Sequence, residues 1–224
     1  MASTASNLAV VICHGSYHSP ALYEPLIQAL KAPNVGDVNN PDFDREPPPG
    51  GYPSEADDAQ VIVQLLDRLI SYDGKLVLLA AHSSGGWVAA EAARPELQAK
   101  SRKEEGKSGG VIGIFFIGAL VVPAGESVTS LYQSYDGALV EPSSLKFHKL
   151  TNDPYSTVPC AYLVLERDKM LPRQFQEKMA AAQSRKSSDN PFTMYRAPCG
   201  HAPYISWTDG LVGKMEESVG EVMA

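Results

Sequence analysis

The chain is short of positive charge. Its 19 Lys and Arg stand against 26 Asp and Glu, a formal net charge of −7, and no stretch gathers basic residues into a stripe. Such a surface argues against nucleic acid or an anionic membrane as a partner. The one charged cluster, 100–107, mixes both signs. Long apolar runs are missing too: none approaches the ~18 residues that span a bilayer. Cysteine is scarce. Cys13, Cys160 and Cys199 cannot form a complete disulfide set, and their spacing fits neither a zinc site nor a CxxC pair. Cys13 and Cys160 fall inside apolar runs and read as small buried hydrophobes. There is no Asn-x-Ser/Thr acceptor, and MASTASN carries no basic residue ahead of its short apolar run, so it does not read as a secretory signal. These absences lead us to expect a reducing, cytoplasmic setting. Internal repeats are also absent.

What is present is ordinary globular composition, 44% apolar and 20% charged over 224 residues, which does not suit a disordered chain. A chain of this size buries roughly 70% of its unfolded surface and needs no staples. Apolar, β-rich runs alternate with segments of helical spacing. The runs are Leu8–Cys13, Lys75–Ala81, Val111–Leu120, Cys160–Leu165 and Phe192–Arg196, with a weaker strand near Val35–Asn39. Near-continuous apolarity marks strands covered on both faces, as in a parallel sheet. Helices are expected over Pro20–Lys31, Ser54–Ser71, Ser84–Lys100, Pro172–Arg185 and Pro203–Met223. The alternation predicts an α/β doubly wound sheet of about six strands with right-handed crossovers. Pro41–Pro53 is a Pro/Gly-rich loop. Val121–Pro159 keeps no clean period and lies between two buried strands, which suits a compact cap better than a linker.

The sharpest chemical signal is Ala81-His82-Ser83-Ser84-Gly85-Gly86, where a buried strand gives way to a helix. This is the setting of the G-x-S-x-G turn, which lifts a serine above the sheet edge between small residues. Ala81 replaces the first glycine. Reading Ser84 as the nucleophile would put the bulky His82 at a tight position, so Ser83 is preferred. The plainer alternative is a helix start rich in small residues. An acyl-transfer serine also needs amides aimed at the developing oxyanion. Ser84, next to the nucleophile, offers one. The first strand–helix junction, His14-Gly15-Ser16-Tyr17, offers the other at Ser16 or Tyr17. His14 and His18 form no evident metal site, because no third ligand stands out.

In this arrangement the acid and then the base follow the nucleophile along the chain. Of the two later histidines, His148 lies in the irregular segment, whereas His201 lies in a loop between the last strand and the last helix. Asp168 follows a strand end, where open α/β sheets build their sites. The rival acid is Glu126. Asp168 could also serve simply to cap the helix that follows it.

Taken together, His14-Gly15, Ala81–Gly86, Glu166–Pro172 and Gly200–Pro203 resemble the α/β-hydrolases. Within that superfamily they look most like the branch of plant methyl-ester esterases, hydroxynitrile lyases and their microbial relatives. The resemblance runs from Leu8 to about Trp207. It implies a single α/β-hydrolase domain over 1–224 with a cap at about 123–157, shorter than in the plant enzymes. It also implies a triad of Ser83, Asp168 and His201, with oxyanion amides at Ser16 and Ser84. The lyases of this branch carry Thr where this chain has Gly15, and Lys where it has Ala202. Both differences lean towards an esterase.

The function expected is hydrolysis of a small-molecule carboxylic ester, lactone or thioester through an acyl-enzyme, with no cofactor and no metal. Tyr17, Tyr132, Tyr135 and Tyr204 are candidates to line a compact pocket. Trp87, Phe147 and Tyr155 are further aromatics near the sheet edge or cap, and for any one of these seven, simple packing is the plainer role. Two alternatives are kept. One is thioesterase, cyclase, C–C hydrolase or lyase chemistry on the same triad. The other is a small-molecule receptor on the same scaffold, against which the retained Asp168 and His201 argue. An apolar cap or an edge strand offers a route to a homodimer.

Overall fold

The computed structural model describes residues 7–16, 18–30, 54–134 and 148–224. Five strands, β1 (Leu8–Cys13), β2 (Leu76–His82), β3 (Gly110–Ile117), β4 (Cys160–Leu165) and β5 (Thr193–Ala197), form one sheet in the order β1-β2-β3-β4-β5. Every neighbouring pair is parallel. The expected strand near Val35–Asn39 and the Pro41–Pro53 loop lie outside the described residues. The described sheet therefore has five strands where about six were expected.

The helices are α1 (Glu24–Ala29), α2 (Glu55–Asp67), α3 (Gly85–Ala92), α4 (Ala99–Glu104), α5 (Val128–Gln133), α6 (Arg173–Lys186), α7 (Pro203–Ser206) and α8 (Thr208–Met223). Side chains alternate across each strand, so the sheet feeds two separate cores. Val77, Leu79, Ala81, Phe116, Tyr162 and Val164 pack on one face with Leu66 of α2, Ala89 of α3 and Phe175 of α6. Leu78, Ala80, Phe115, Leu163 and Leu165 pack on the other with Leu26 of α1 and Leu211 of α8. This division explains the unbroken apolar runs, since both faces of the central strands are dry. All eight residues of β3 are buried.

Two expected helices are interrupted. The helix expected over Ser84–Lys100 stops at Ala92. Arg94, which precedes Pro95, takes an extended backbone (φ −62°, ψ 150°), as a residue before proline prefers. A short 3₁₀ turn (Pro95–Leu97) then leads into α4. The last helix divides at Trp207, which leaves helical geometry (φ −151°, ψ 39°). Its indole covers Gly210 so closely that a Cβ there would lie 2.1 Å from the ring. The helix expected from Pro20 opens as a 3₁₀ turn, Pro20–Tyr23, before α1. Ser19 stands at its N-cap, but its side chain makes no capping bond. By contrast, α2 begins with a capping box in which Ser54 and Asp57 satisfy each other's amides.

The three cysteines are free and buried. Burial pushes the Cys13 thiol up to about 12 and the Cys199 thiol up to about 11. It raises the Cys160 thiol further still. None of them is a ready thiolate nucleophile at neutral pH.

Candidate active site

Four loops leave the C-terminal ends of β1, β2, β4 and β5 and converge above the sheet, the edge where open α/β sheets gather their functional groups. They carry Ser16, Ser83–Ser84, Asp168 and His201 respectively.

Ser83 is the one non-glycine residue with a positive φ among the described residues, at 53°. That conformation costs on the order of 1–2 kcal/mol for an L-residue and persists only where the surroundings impose it. Here they do. The Ser83 carbonyl accepts the amides of Gly86 (3.2 Å) and Leu120 (2.9 Å). The start of α3 is wedged between neighbouring backbones. A Cβ on Gly85 would lie 2.0 Å from the Cys13 carbonyl oxygen, and one on Gly86 would lie 2.2 Å from that of Leu120. The double glycine is thus a packing requirement of the turn. Gly15 presses on it from the β1 loop, where a Cβ would meet Ser83 Cβ at 2.9 Å and His82 Nδ1 at 3.1 Å. A threonine at position 15, as in the lyases, would not fit this arrangement without displacing Ser83.

Asp168 and His201 are brought together, with His201 Nδ1 donating to Asp168 Oδ2 at 2.7 Å. The aspartate side chain is completely buried and the histidine side chain is 19% exposed. Asp168 Oδ1 accepts the amides of Met170 (2.7 Å) and Leu171 (3.0 Å) in the turn ahead of α6. It does not cap that helix, whose N-cap residue is Pro172 and which has no side-chain capping bond. Gln176 of α6 supports the loop from below. Its Nε2 donates to the carbonyls of Leu171 (2.6 Å) and Leu165 (3.2 Å) and reaches Asp168 Oδ2 at 3.4 Å, while its Oε1 accepts the Leu165 amide. The loops that carry Asp168 and His201 are also stitched together, the Arg167 amide donating to the Cys199 carbonyl at 2.9 Å. With Nδ1–H committed to a carboxylate, the neutral His201 ring carries its lone pair on Nε2, the arrangement of a general base.

A chain of polar groups lies beneath His201. The His201 carbonyl can only accept, so His82 Nε2, 2.8 Å away, carries the proton. His82 Nδ1 is then an acceptor, and the Tyr23 hydroxyl donates to it at 2.9 Å. The Tyr23 oxygen in turn receives His18 Nδ1–H (3.0 Å) and the Gly15 amide (3.3 Å). Burial, followed by repulsion from His201, lowers the His82 pKa to about 3. Burial and the charges of His201 and His14 lower His18 as well. Neither ring favours a second proton at neutral pH, which keeps the chain of donors fixed.

Other expected residues fall as follows. Tyr204 is buried within this cluster, stacked on Tyr23 at 4.3 Å, with its hydroxyl 3.3 Å from His18 Nδ1. Tyr132 stacks on Phe175 at 5.8 Å. Trp87 is buried among the α2–α3 core residues, and Tyr155 is buried with its hydroxyl on the Val122 carbonyl. Tyr17, Tyr135 and Phe147 lie outside the described residues. His148 pairs with Glu55 at 3.4 Å. Sequence reasoning did not single out His82, Tyr23 or Gln176. Their only signal was a polar side chain interrupting an apolar face. Among the described residues no group of three or more His, Cys, Asp or Glu side chains is arranged to hold a metal ion, and no helix is long and apolar enough to cross a membrane.

A parallel sheet, a strained serine turn and a carboxylate–histidine pair at one edge define an α/β-hydrolase architecture. The chain belongs to the alpha/beta hydrolase family, whose model it matches over residues 10–150, more than half its length. It is 23% identical to the alpha/beta hydrolase nvfD of Aspergillus novofumigatus (strain IBT 16806), over 96% of this chain and 98% of that one. The fold is similar to that of the pyrethroid hydrolase PytH (TM-score 0.61, 17% identity, 94% of this chain and 96% of that chain). It is similar also to that of polyneuridine aldehyde esterase (TM-score 0.62, 13% identity, 93% of this chain and 97% of that chain).

Proposed function

We propose that the protein is a serine esterase that cleaves a small-molecule carboxylic ester, lactone or thioester, with Ser83 as nucleophile, His201 as general base and Asp168 as its orienting acid. The observation that carries this reading is the 2.7 Å contact from His201 Nδ1 to the buried Asp168 carboxylate, which leaves Nε2 to act as the base, combined with the strained φ of 53° at Ser83. Glu126 is set aside as the acid because Asp168 already fills that position against His201.

In this mechanism His201 Nε2 takes the Ser83 proton as Oγ adds to the carbonyl carbon. The carbonyl electron pair moves onto oxygen, and donors of the residue after the nucleophile, backed by the β1 loop, stabilise it. Collapse of the intermediate re-forms the carbonyl and expels the alcohol, which takes the proton from His201. Water, deprotonated by the same nitrogen, then releases the acid and regenerates Ser83. Esterase and hydrolase relatives on this fold agree with hydrolysis. The intact acid–base pair disfavours a receptor that has given up turnover.

The test is turnover of a panel of short-chain esters, lactones and thioesters by wild type and Ser83→Ala. The expected result is hydrolysis by wild type and a fall of several orders of magnitude in the variant. Undiminished turnover in Ser83→Ala would overturn the assignment.

A further inference from the structure

The second loop donor expected at the oxyanion is already engaged. The Ser16 amide donates to the Ser84 hydroxyl at 2.7 Å, and the two serine hydroxyls are 2.8 Å apart. Ser84 follows the nucleophile and stands at the N-cap of α3. A serine there ordinarily accepts an amide of its own helix, but this one makes no such bond and turns across to the β1 loop instead. The contact joins residues 68 positions apart. The Gly15–Ser83 approach brings the two loops together beside the nucleophile.

An amide has one proton, and that of Ser16 is directed at Ser84 Oγ. The hydroxyl of Ser84 still has its own proton, and a hydroxyl rotor turns to suit its acceptor. A hydroxyl that already accepts an N–H is polarised towards donating. Resting on the esterase reading above, we propose that Ser84 is a catalytic residue whose hydroxyl donates directly to the oxyanion, with the Ser16 amide acting one bond behind it. In the resting state the Ser84 proton is shared with Ser16 Oγ. When Ser83 Oγ bonds to the substrate carbon and the carbonyl pair moves onto oxygen, the Ser84 O–H swings to that oxygen and swings back as the carbonyl re-forms. No proton is transferred by Ser84. The rival geometry is a plug, in which Ser84 must rotate away so that the bare Ser16 amide can meet the oxyanion.

Ser84→Ala separates these alternatives, because it removes the hydroxyl and frees the amide. Two readouts are needed: kcat and KM on the best ester, and the second-order rate at which a fluorophosphonate labels Ser83. The proposal expects kcat to fall about 10²- to 10³-fold, the loss typical of one oxyanion donor. It expects KM to change little, the labelling rate to fall in parallel, and Ser84→Thr, which keeps a hydroxyl, to recover most of the loss. An unchanged melting temperature in Ser84→Ala excludes misfolding as the cause. Equal or faster turnover and labelling in Ser84→Ala would overturn the proposal in favour of the plug and leave the esterase reading intact. A wild-type protein that neither labels nor turns over any ester would overturn both.

Discussion

Asp168 and Ser84 each use a side-chain oxygen to accept backbone amides, yet the two are held very differently. Asp168 is fully buried, with one oxygen on two amides and the other shared between His201 and Gln176. Ser84 is partly exposed and accepts a single amide, and its remaining partner is another hydroxyl. A buried carboxylate surrounded by donors has little freedom, because each lost bond leaves a polar group unsatisfied at about 1–3 kcal/mol. A hydroxyl at the surface of the site can turn at little cost. On the proposed reading the acid–base half of the site is therefore preset, and the oxyanion half keeps one adjustable donor where charge would appear and disappear during each turnover.

The largest effect expected from breaking this contrast is at Asp168. In Asp168→Asn the amide can still accept from Met170 and Leu171, but its NH₂ faces His201 and imposes the wrong tautomer. kcat should drop about 10³- to 10⁴-fold with the melting temperature nearly unchanged. A loss below tenfold would show that the preset half is not acting as described.

Gly15→Ala attacks the seam between the halves. Its Cβ would sit 2.9 Å from that of Ser83. Over-packing of this kind costs about 1–3 kcal/mol, and equilibrium denaturation should show that loss together with lower turnover. Gln176→Leu removes the support under the acid loop and strands the Leu165 amide and the Leu171 carbonyl. Denaturation should register a loss of about 1–3 kcal/mol, with kcat falling far less than in Asp168→Asn.

A further effect concerns pH. His82 has a folded pKa of about 3 against an ordinary 6.5. Between these values the unfolded chain takes up a proton that the folded chain refuses. Its contribution to stability is therefore complete above about pH 6.5 and is lost as pH falls towards 3, by up to ~1.4 kcal/mol per pH unit. His82→Gln keeps an N–H for the His201 carbonyl but does not titrate. Its stability should decline less steeply than wild type between pH 6 and pH 4, and identical slopes would contradict the assigned protonation.

Much of this was legible in the sequence. Leu8–Cys13 and Cys160–Leu165 are strands with the expected bounds, because strands dry on both faces are apolar throughout. His201 lies in the loop between the last strand and the helices that follow, where it was expected, and the turn at Ser83 showed itself through its small residues. The supporting groups did not. His82 is held by a carbonyl 119 residues away and a hydroxyl 59 residues away, and local periodicity carries no information about partners so distant. The side chain of Ser84 was silent in a different way. A serine after the turn was read as an amide donor, and nothing nearby signals that its hydroxyl crosses to another loop. The breaks at Pro95 and Trp207 were missed because continuous apolar spacing outweighed one proline and one bulky ring.

The measurement that tests the central claim most directly is intact-mass spectrometry after incubation with a fluorophosphonate, on wild type and Ser83→Ala. The account predicts a single adduct on wild type and none on the variant. An unmodified wild type, or an adduct that persists in Ser83→Ala, would contradict it.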